Sequence, residues 1–299
     1  MAIDAPDDEA GPPSGKTVGF DSFNVVVNHN EAREYIELLV GVPLTDGERA
    51  KVKVILLAPE KLLRSDGRAE YSMKFDTSIS VVHVEKDSKG NEVAAIDGLS
   101  WEIPADYPGA RTVLLENEPM VKGFLTERFW PGDAFVDAGA NVGSYSVRAA
   151  ASGMKVYSFE PNPENVKVLR RNAEINHVSI DLFECALGSA EGEVRLSPNG
   201  ALSRVSADGA VHVPVHTLDS FDLPRVDLLK VDVEGHELEV LKGAGRTIER
   251  FHPDIIIEMH DWLDAEGQAS LLDMLLKNGY RIKYVDKQAY GRHLTATAR

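Results

Sequence analysis

The feature that most constrains this chain is the regular alternation of short apolar strands with amphipathic helices from about residue 111 onward. Residues 134–137 form an apolar run, and 144–151 carry the spacing of a helix. Residues 155–159 form the next strand. Asn162 caps a helix that has Pro163 at its first position, where proline's missing N–H costs nothing. Strands follow at 180–184, 227–233, 254–258, 280–285 and 291–296, with helices over 236–242 and 268–277. Strand–helix alternation implies parallel pairing through right-handed crossovers, hence a doubly wound α/β sheet of seven strands, mostly parallel. Such sheets bind ligands at the carboxyl ends of their strands.

The first of these strands runs into the loop DAGANVG, 137–143. Glycines let a backbone approach a ligand closely and then turn into a helix. The dinucleotide fingerprint needs glycine at its first, third and sixth positions. Counted from Gly139, those positions hold glycine, Asn141 and Ser144, so the fingerprint fails twice. Asp137, read at the loop mouth, suits a cationic ligand end better than a pyrophosphate. Glu160, 21 positions past Gly139, stands where an acidic residue reaches ribose hydroxyls. Ala186, after the third strand, is small enough to flank a purine ring. A nucleotide-like cofactor is therefore expected on Asp137, Gly139, Gly143, Glu160 and Ala186.

The fourth strand carries Lys230, Asp232 and Glu234 at alternate positions, hence on one side. Three charges on a central strand are costly unless paired or placed at its open end. Either they form an ion-pair network, or they face the reacting groups. In the second reading Asp232, Glu234 and His236 line an acceptor site, with His236 as the general base and Glu258 and His260 as rivals. Asp232, Glu258 and Asp261 offer oxygen ligands of the kind Mg²⁺ takes. No spacing motif supports a metal, and none is expected.

Several segments resemble one family in the family's order: FVDAGANVG at 135–143, FEPNP at 159–163, VHTLD at 215–219, LKVDVEGHE at 229–237, and 253–258. Together they are similar to the FkbM-type methyltransferases across roughly residues 111–298. The resemblance implies a class I, Rossmann-like methyltransferase fold with S-adenosyl-L-methionine as cofactor. It also implies methyl transfer to a hydroxyl of a sugar, glycan or natural product. Asp137, Gly139, Asn141, Gly143 and Glu160 match the family's cofactor-contacting positions. An NAD-dependent oxidoreductase and a non-catalytic nucleotide-binding scaffold are the alternatives.

The rest of the chain is less specific. Residues 1–16 are acidic and rich in proline and glycine, and are expected to be disordered. Residues 17–110 read as a small mixed, β-rich cap or oligomerisation region. It has a helix at 31–40, strands at 52–57, 79–85 and 92–96, and a turn at 87–91. Residues 111–299 read as the cofactor-binding domain. Residues 197–209 read as a lid or hairpin loop, with Asn199, Ser203 and Arg204 placed to meet an acceptor. A net charge of −16 makes nucleic acid a poor partner. The N-terminus lacks a signal-peptide pattern, and no apolar run is long enough to span a membrane. A single cysteine, Cys185, fits a reducing cytoplasm. A homo-oligomer is compatible with all of this.

Overall fold

The computed structural model describes the backbone of residues 24–28, 36–43, 49–56, 60–63, 69–72, 75–76, 83–86, 90–107, 110, 113–114, 118–197, 208–287 and 291–298. Side chains are described from residue 90 onward within those stretches, Pro119, Asp286, Lys287 and Ala298 excepted. The chain divides into two compact units, one of residues 1–30 with 34–81, the other of 31–33 with 82–299.

The first unit holds β1 (Asn24–Asn28), β2 (Ile36–Pro43), β3 (Arg49–Leu56), β4 (Glu60–Leu63), β5 (Ala69–Ser72) and β6 (Phe75–Asp76). Four of them form a sheet in the order β1-β2-β3-β6, and β4 pairs with β5. The helix expected over 31–40 is not present in its second half: residues 36–40 lie in β2, antiparallel to both β1 and β3. The run IELLV is apolar throughout, and its β-strand partners decide between two periodicities that a short apolar run does not separate. The expected disordered segment, 1–16, and residues 31–35 lie outside the described residues.

The second unit opens with a three-stranded antiparallel sheet, β7 (His83–Lys86), β8 (Glu92–Ile96) and β9 (Leu99–Ile103). Helix α1 (Pro119–Thr126) follows, then β10 (Ala134–Ala138), α2 (Ser144–Ala151), β11 (Lys155–Phe159) and α3 (Pro163–Ile175). Next come β12 (Asp181–Phe183), β13 (Ala186–Leu187), β14 (Gly192–Leu196), β15 (Val211–His216) and a 3₁₀ turn (Leu218–Phe221). The chain continues through β16 (Leu228–Val231), α4 (Glu237–Gly243), α5 (Gly245–Phe251), β17 (Asp254–His260), α6 (Ala265–Lys277), β18 (Tyr280–Lys287) and β19 (Gly291–Ala298).

The central sheet has seven strands in the order β12-β11-β10-β16-β17-β19-β18. All neighbours are parallel except β19, which runs antiparallel to β17 and β18. The order reverses between β10 and β16, which places the ligand crevice there. The core strands are buried along their whole length: every residue of β10 and β16 is buried, as both-face coverage demands. Phe135, Phe159, Leu228, Leu229 and Ile255 are among the largest fully buried side chains.

β9 is held to α3 by two asparagines one turn apart. The Glu102 N–H donates to Asn172 Oδ1 at 2.9 Å, and the Ser100 N–H donates to Asn176 Oδ1 at 2.9 Å. The amide of Asn172 also donates to the Val142 carbonyl at 3.0 Å, so one side chain ties β9 to the glycine loop. With Trp101 fully buried, the β7–β9 sheet is part of the second unit's own packing. The 197–209 loop joins β14 to β15, which pair as an antiparallel hairpin. Asn199, Ser203 and Arg204 lie outside the described residues.

Candidate active site

A cleft of about 760 Å³, open to solvent, lies at the carboxyl ends of β10, β11 and β16. Gly139, Asn141, Glu160, Asn165 and Ala186 line it together with Asp232, Glu234 and His236. Cys185, Phe159, Leu187, Val194, Leu196 and Val215 complete its walls.

The glycine loop is shaped by backbone. Gly139 has φ +81°, and a Cβ there would stand 1.8 Å from the Asp232 carbonyl oxygen. The end of β10 therefore touches the end of β16 where only glycine fits. The Gly139 and Ala140 N–H groups both donate to the Phe159 carbonyl, at 3.0 and 3.1 Å. Asn141 then adopts φ +52°, a left-handed conformation that asparagine tolerates better than most residues.

Glu160 fixes this loop. One carboxylate oxygen accepts from the Asn141 N–H at 2.7 Å; the other accepts from the Asn162 N–H at 2.8 Å and the Asn165 amide at 3.2 Å. Burial raises its carboxyl to about 7, although these donors pull the other way. Asn165 is anchored in turn by the Tyr107 hydroxyl, which donates to its Oδ1 at 2.7 Å.

Two expected cofactor residues sit elsewhere. Asp137 does not reach the cleft. It is fully buried beneath the loop, where the Ser146 hydroxyl donates to its Oδ2 at 2.6 Å and Lys230 Nζ stands 3.5 Å from its Oδ1. In a strand covered on both faces, an aspartate one position before the strand end points into the protein. Gly143 is also away from the cleft walls. It precedes α2 with φ +86°, and a Cβ there would press on Leu169 of α3 at 2.9 Å. Its smallness serves helix packing.

The charged run of the fourth strand divides into two parts. Lys230 is buried and bridges Asp137 and Asp232, at 3.5 and 3.2 Å. It also donates to the Gly139 carbonyl at 3.3 Å. β16 ends at Val231, so of the three only Lys230 is on the strand; Asp232 lies just past its end, and beyond it comes Glu234. It sits in a turn with φ +56°, followed by Gly235 at φ +103°. His236 caps α4 by position. Asp232, Glu234 and His236 thus do converge on the cleft, through a turn.

Burial acts to raise the Asp232 carboxyl, but Lys230, His260 and His293 outweigh it and hold the group below its ordinary range. Burial lifts Glu234 to about 7, helped by the negative charge of Asp232. A network runs behind them. His260 Nδ1 meets Glu237 Oε1 at 2.8 Å, and its Nε2 faces Glu234 at 3.5 Å and Glu258 at 3.7 Å. Glu258 also faces His293 Nε2 at 3.5 Å, and His293 faces Glu118 at 3.3 Å. Burial works to lower the His260 pKa, yet Glu237, Asp232 and Glu258 together carry it up to about 9. Asp261 is drawn outward to Arg292 at 3.3 Å.

Glu237, His293 and Glu118 escape sequence reasoning. Glu237 stands in the conspicuous LKVDVEGHE run, but nothing local reveals its partner. His293 meets Glu258 because β19 pairs directly with β17, with Glu258 opposite His293. Among the described residues, Glu118, Glu258 and His293 form one group that offers three ligand atoms within 4.8 Å of one another, and Asp232, Glu234 and His260 form a second.

Residues 137–282 match the family described as the methyltransferase FkbM domain. The hexuronic acid methyltransferase AglP of Haloferax volcanii is 28% identical over 166 residues, which cover 53% of this chain and 69% of that protein. The methyltransferase sdnD of Sordaria araneosa is 31% identical over 173 residues, 43% of this chain and 67% of its own. The crystal structure of an FkbM methyltransferase from Methylobacillus flagellatus KT aligns with a TM-score of 0.44 at 22% identity, covering 55% of this chain and 43% of that one.

Proposed function

The chain belongs to the FkbM family of S-adenosylmethionine-dependent methyltransferases, and from that premise we propose that it methylates a hydroxyl of a sugar, glycan or natural-product acceptor in the cleft between Glu160 and Asp232. Family membership displaces the oxidoreductase and scaffold readings. The observation that carries the proposal is the close backbone contact of Gly139 with Asp232. That contact supports reading the Glu160 side as the cofactor wall and the Asp232 side as the acceptor wall.

The residues present fit the cofactor. Phe159, Leu187 and Val215 supply apolar wall for an adenine ring. Glu160 and Asn141 stand where ribose hydroxyls would be met. Asp232 and Glu234 give the cationic end an acidic surrounding. When bound, S-adenosylmethionine supplies the electrophilic methyl group. The protein's own task is to orient the acceptor hydroxyl and take its proton. Asp232, kept anionic by Lys230, accepts a hydrogen bond from a neighbouring hydroxyl of the acceptor and so orients it. His236, on the same lip, takes the proton of the reacting hydroxyl at a ring nitrogen. AglP, by its name, acts on a hexuronic acid, which supports a sugar-like acceptor.

Calorimetry with S-adenosylmethionine and with NAD tests the cofactor. Labelled-methyl transfer into a metabolite extract, with mass spectrometry of the product, identifies the acceptor. His236→Ala is expected to bind cofactor and lose methyl transfer by about 10²- to 10⁴-fold, and Asp232→Ala to lose methyl transfer to a similar degree and also to bind cofactor more weakly. NAD binding without S-adenosylmethionine binding would defeat the proposal. Unchanged rates in both variants would move the base to the fifth strand end, at His260 or Glu258.

A further inference from the structure

Trp262 lies just past the carboxyl end of β17 and is 42% exposed. A side chain of this size is normally covered unless its face has a use. Its indole stacks on His260, with ring centroids 4.7 Å apart and planes 24° from parallel. It also lies against Gly235: a Cβ there would stand 2.5 Å from both Cδ1 and Nε1. Gly235 separates Glu234 from His236, and both of those line the cleft. A flat aromatic surface is thus fixed from two sides, next to the residues assigned to the acceptor.

The polar surroundings are rich in hydrogen-bond acceptors. The cleft's charged lining residues are Glu160, Asp232 and Glu234. Lys230 is shared by Asp137 and Asp232, and His260, against the Trp262 ring, faces Glu237 and Glu234. Carboxylates accept hydrogen bonds from hydroxyls readily. An aromatic face beside several hydroxyl acceptors suits a ring with one C–H face and hydroxyls at its edge.

We propose that Trp262 is the platform on which the ring of a polyhydroxylated acceptor rests. This rests on the acceptor wall assigned above. Trp262 acts here by contact with the acceptor and takes no part in proton transfer.

The test uses the full chain saturated with S-adenosylhomocysteine, followed by intrinsic fluorescence. Three probes are titrated: methyl glucopyranoside, methyl glucopyranosiduronate, and sorbitol, which has hydroxyls but no ring face. The chain has three tryptophans, and Trp130 is also exposed, so the titrations are run in a Trp130→Phe background. The glucopyranoside is expected to shift the emission and to bind at least tenfold more tightly than sorbitol, and the glucopyranosiduronate, which keeps the ring face, also to bind more tightly than sorbitol. Trp262→Leu is expected to weaken glucopyranoside binding, read by calorimetry, by about tenfold or more. Calorimetry of S-adenosylhomocysteine on the same samples reports folding of the variant and the cofactor reading separately. Equal binding by Trp262→Leu, binding of sorbitol as tight as that of the glucopyranoside, or no binding of the glucopyranoside would each overturn the proposal. Loss of S-adenosylhomocysteine binding in the unmutated chain would instead refute the cofactor assignment.

Discussion

Gly139→Ala should damage stability and cofactor binding together, and its size can be worked from geometry. The residue has φ +81°, where a side chain costs about 1–2 kcal/mol. The added Cβ would stand 1.8 Å from the Asp232 oxygen, 2.9 Å from its carbonyl carbon and 3.4 Å from Val233 Cγ1. Ordinary carbon–oxygen contact is well above the first distance, so the ends of β10 and β16 must separate. Overpacking of that kind costs about 1–3 kcal/mol. The sum is roughly 2–5 kcal/mol, a large part of the ~5–15 kcal/mol that holds a typical domain together. Gly132→Ala is the control. It has φ +87° with nothing within 4 Å of its added Cβ, so it carries the conformational cost alone. Urea denaturation of both variants isolates the steric part as their difference, expected at about 1–3 kcal/mol. Calorimetry should show weakened S-adenosylmethionine binding for Gly139→Ala only, because Asp232 moves with its carbonyl. If the two variants lose equal stability, or if Gly139→Ala binds cofactor as the unmutated chain does, the close contact is not what shapes the cleft.

Three further outcomes are expected. Lys230→Met should cost about 3–5 kcal/mol in urea denaturation, because it leaves the buried Asp137 carboxylate facing no cation; a loss below 1 kcal/mol would show that the Ser146 hydroxyl suffices. His260 has a pKa raised to about 9 in the folded chain from 6.5, so its contribution is complete below pH 6.5 and disappears as pH rises through 9. Stability should therefore fall by about 3 kcal/mol across that window, and His260→Gln should flatten the profile measured by thermal or urea unfolding. Methyl transfer should persist in excess EDTA, since Asp261, one of the three oxygen donors that the sequence offers for Mg²⁺, is engaged by Arg292; activity that vanishes and returns with Mg²⁺ would reverse this expectation.

The elements of the second unit were legible because their signals are local. The apolar runs at 134–138 and 155–159 and the Asn162-Pro163 start of α3 appear in the structure where the periodicity puts them. Gly139, Asn141, Glu160 and Ala186 line the cleft because a glycine turn, and the residues just after parallel strands, have few other places to go. Asp137 was misplaced for a related reason. Its position in the sequence says that it is near the loop, but which way it points depends on the cover that α2 and Lys230 provide. Asp232, Glu234 and His236 reached the cleft, though the turn at Glu234 and Gly235, with both φ values positive, replaced the continuous strand that alternation suggested.

What the sequence determined by itself is the order of the central sheet's strands along the chain, the glycine turn and the place of Glu160 at the end of the next strand, since each follows from backbone stereochemistry and hydrophobic period within a few residues. What only the tertiary structure decided is who meets whom across those elements. The antiparallel insertion of β19 between β17 and β18 sets His293 opposite Glu258. The approach of β17 to the 234–236 turn lays Trp262 on Gly235 and brings His260 to Glu237. These partners are tens of residues apart in sequence, and their meeting is fixed by sheet register and side-chain burial, quantities that no local pattern encodes.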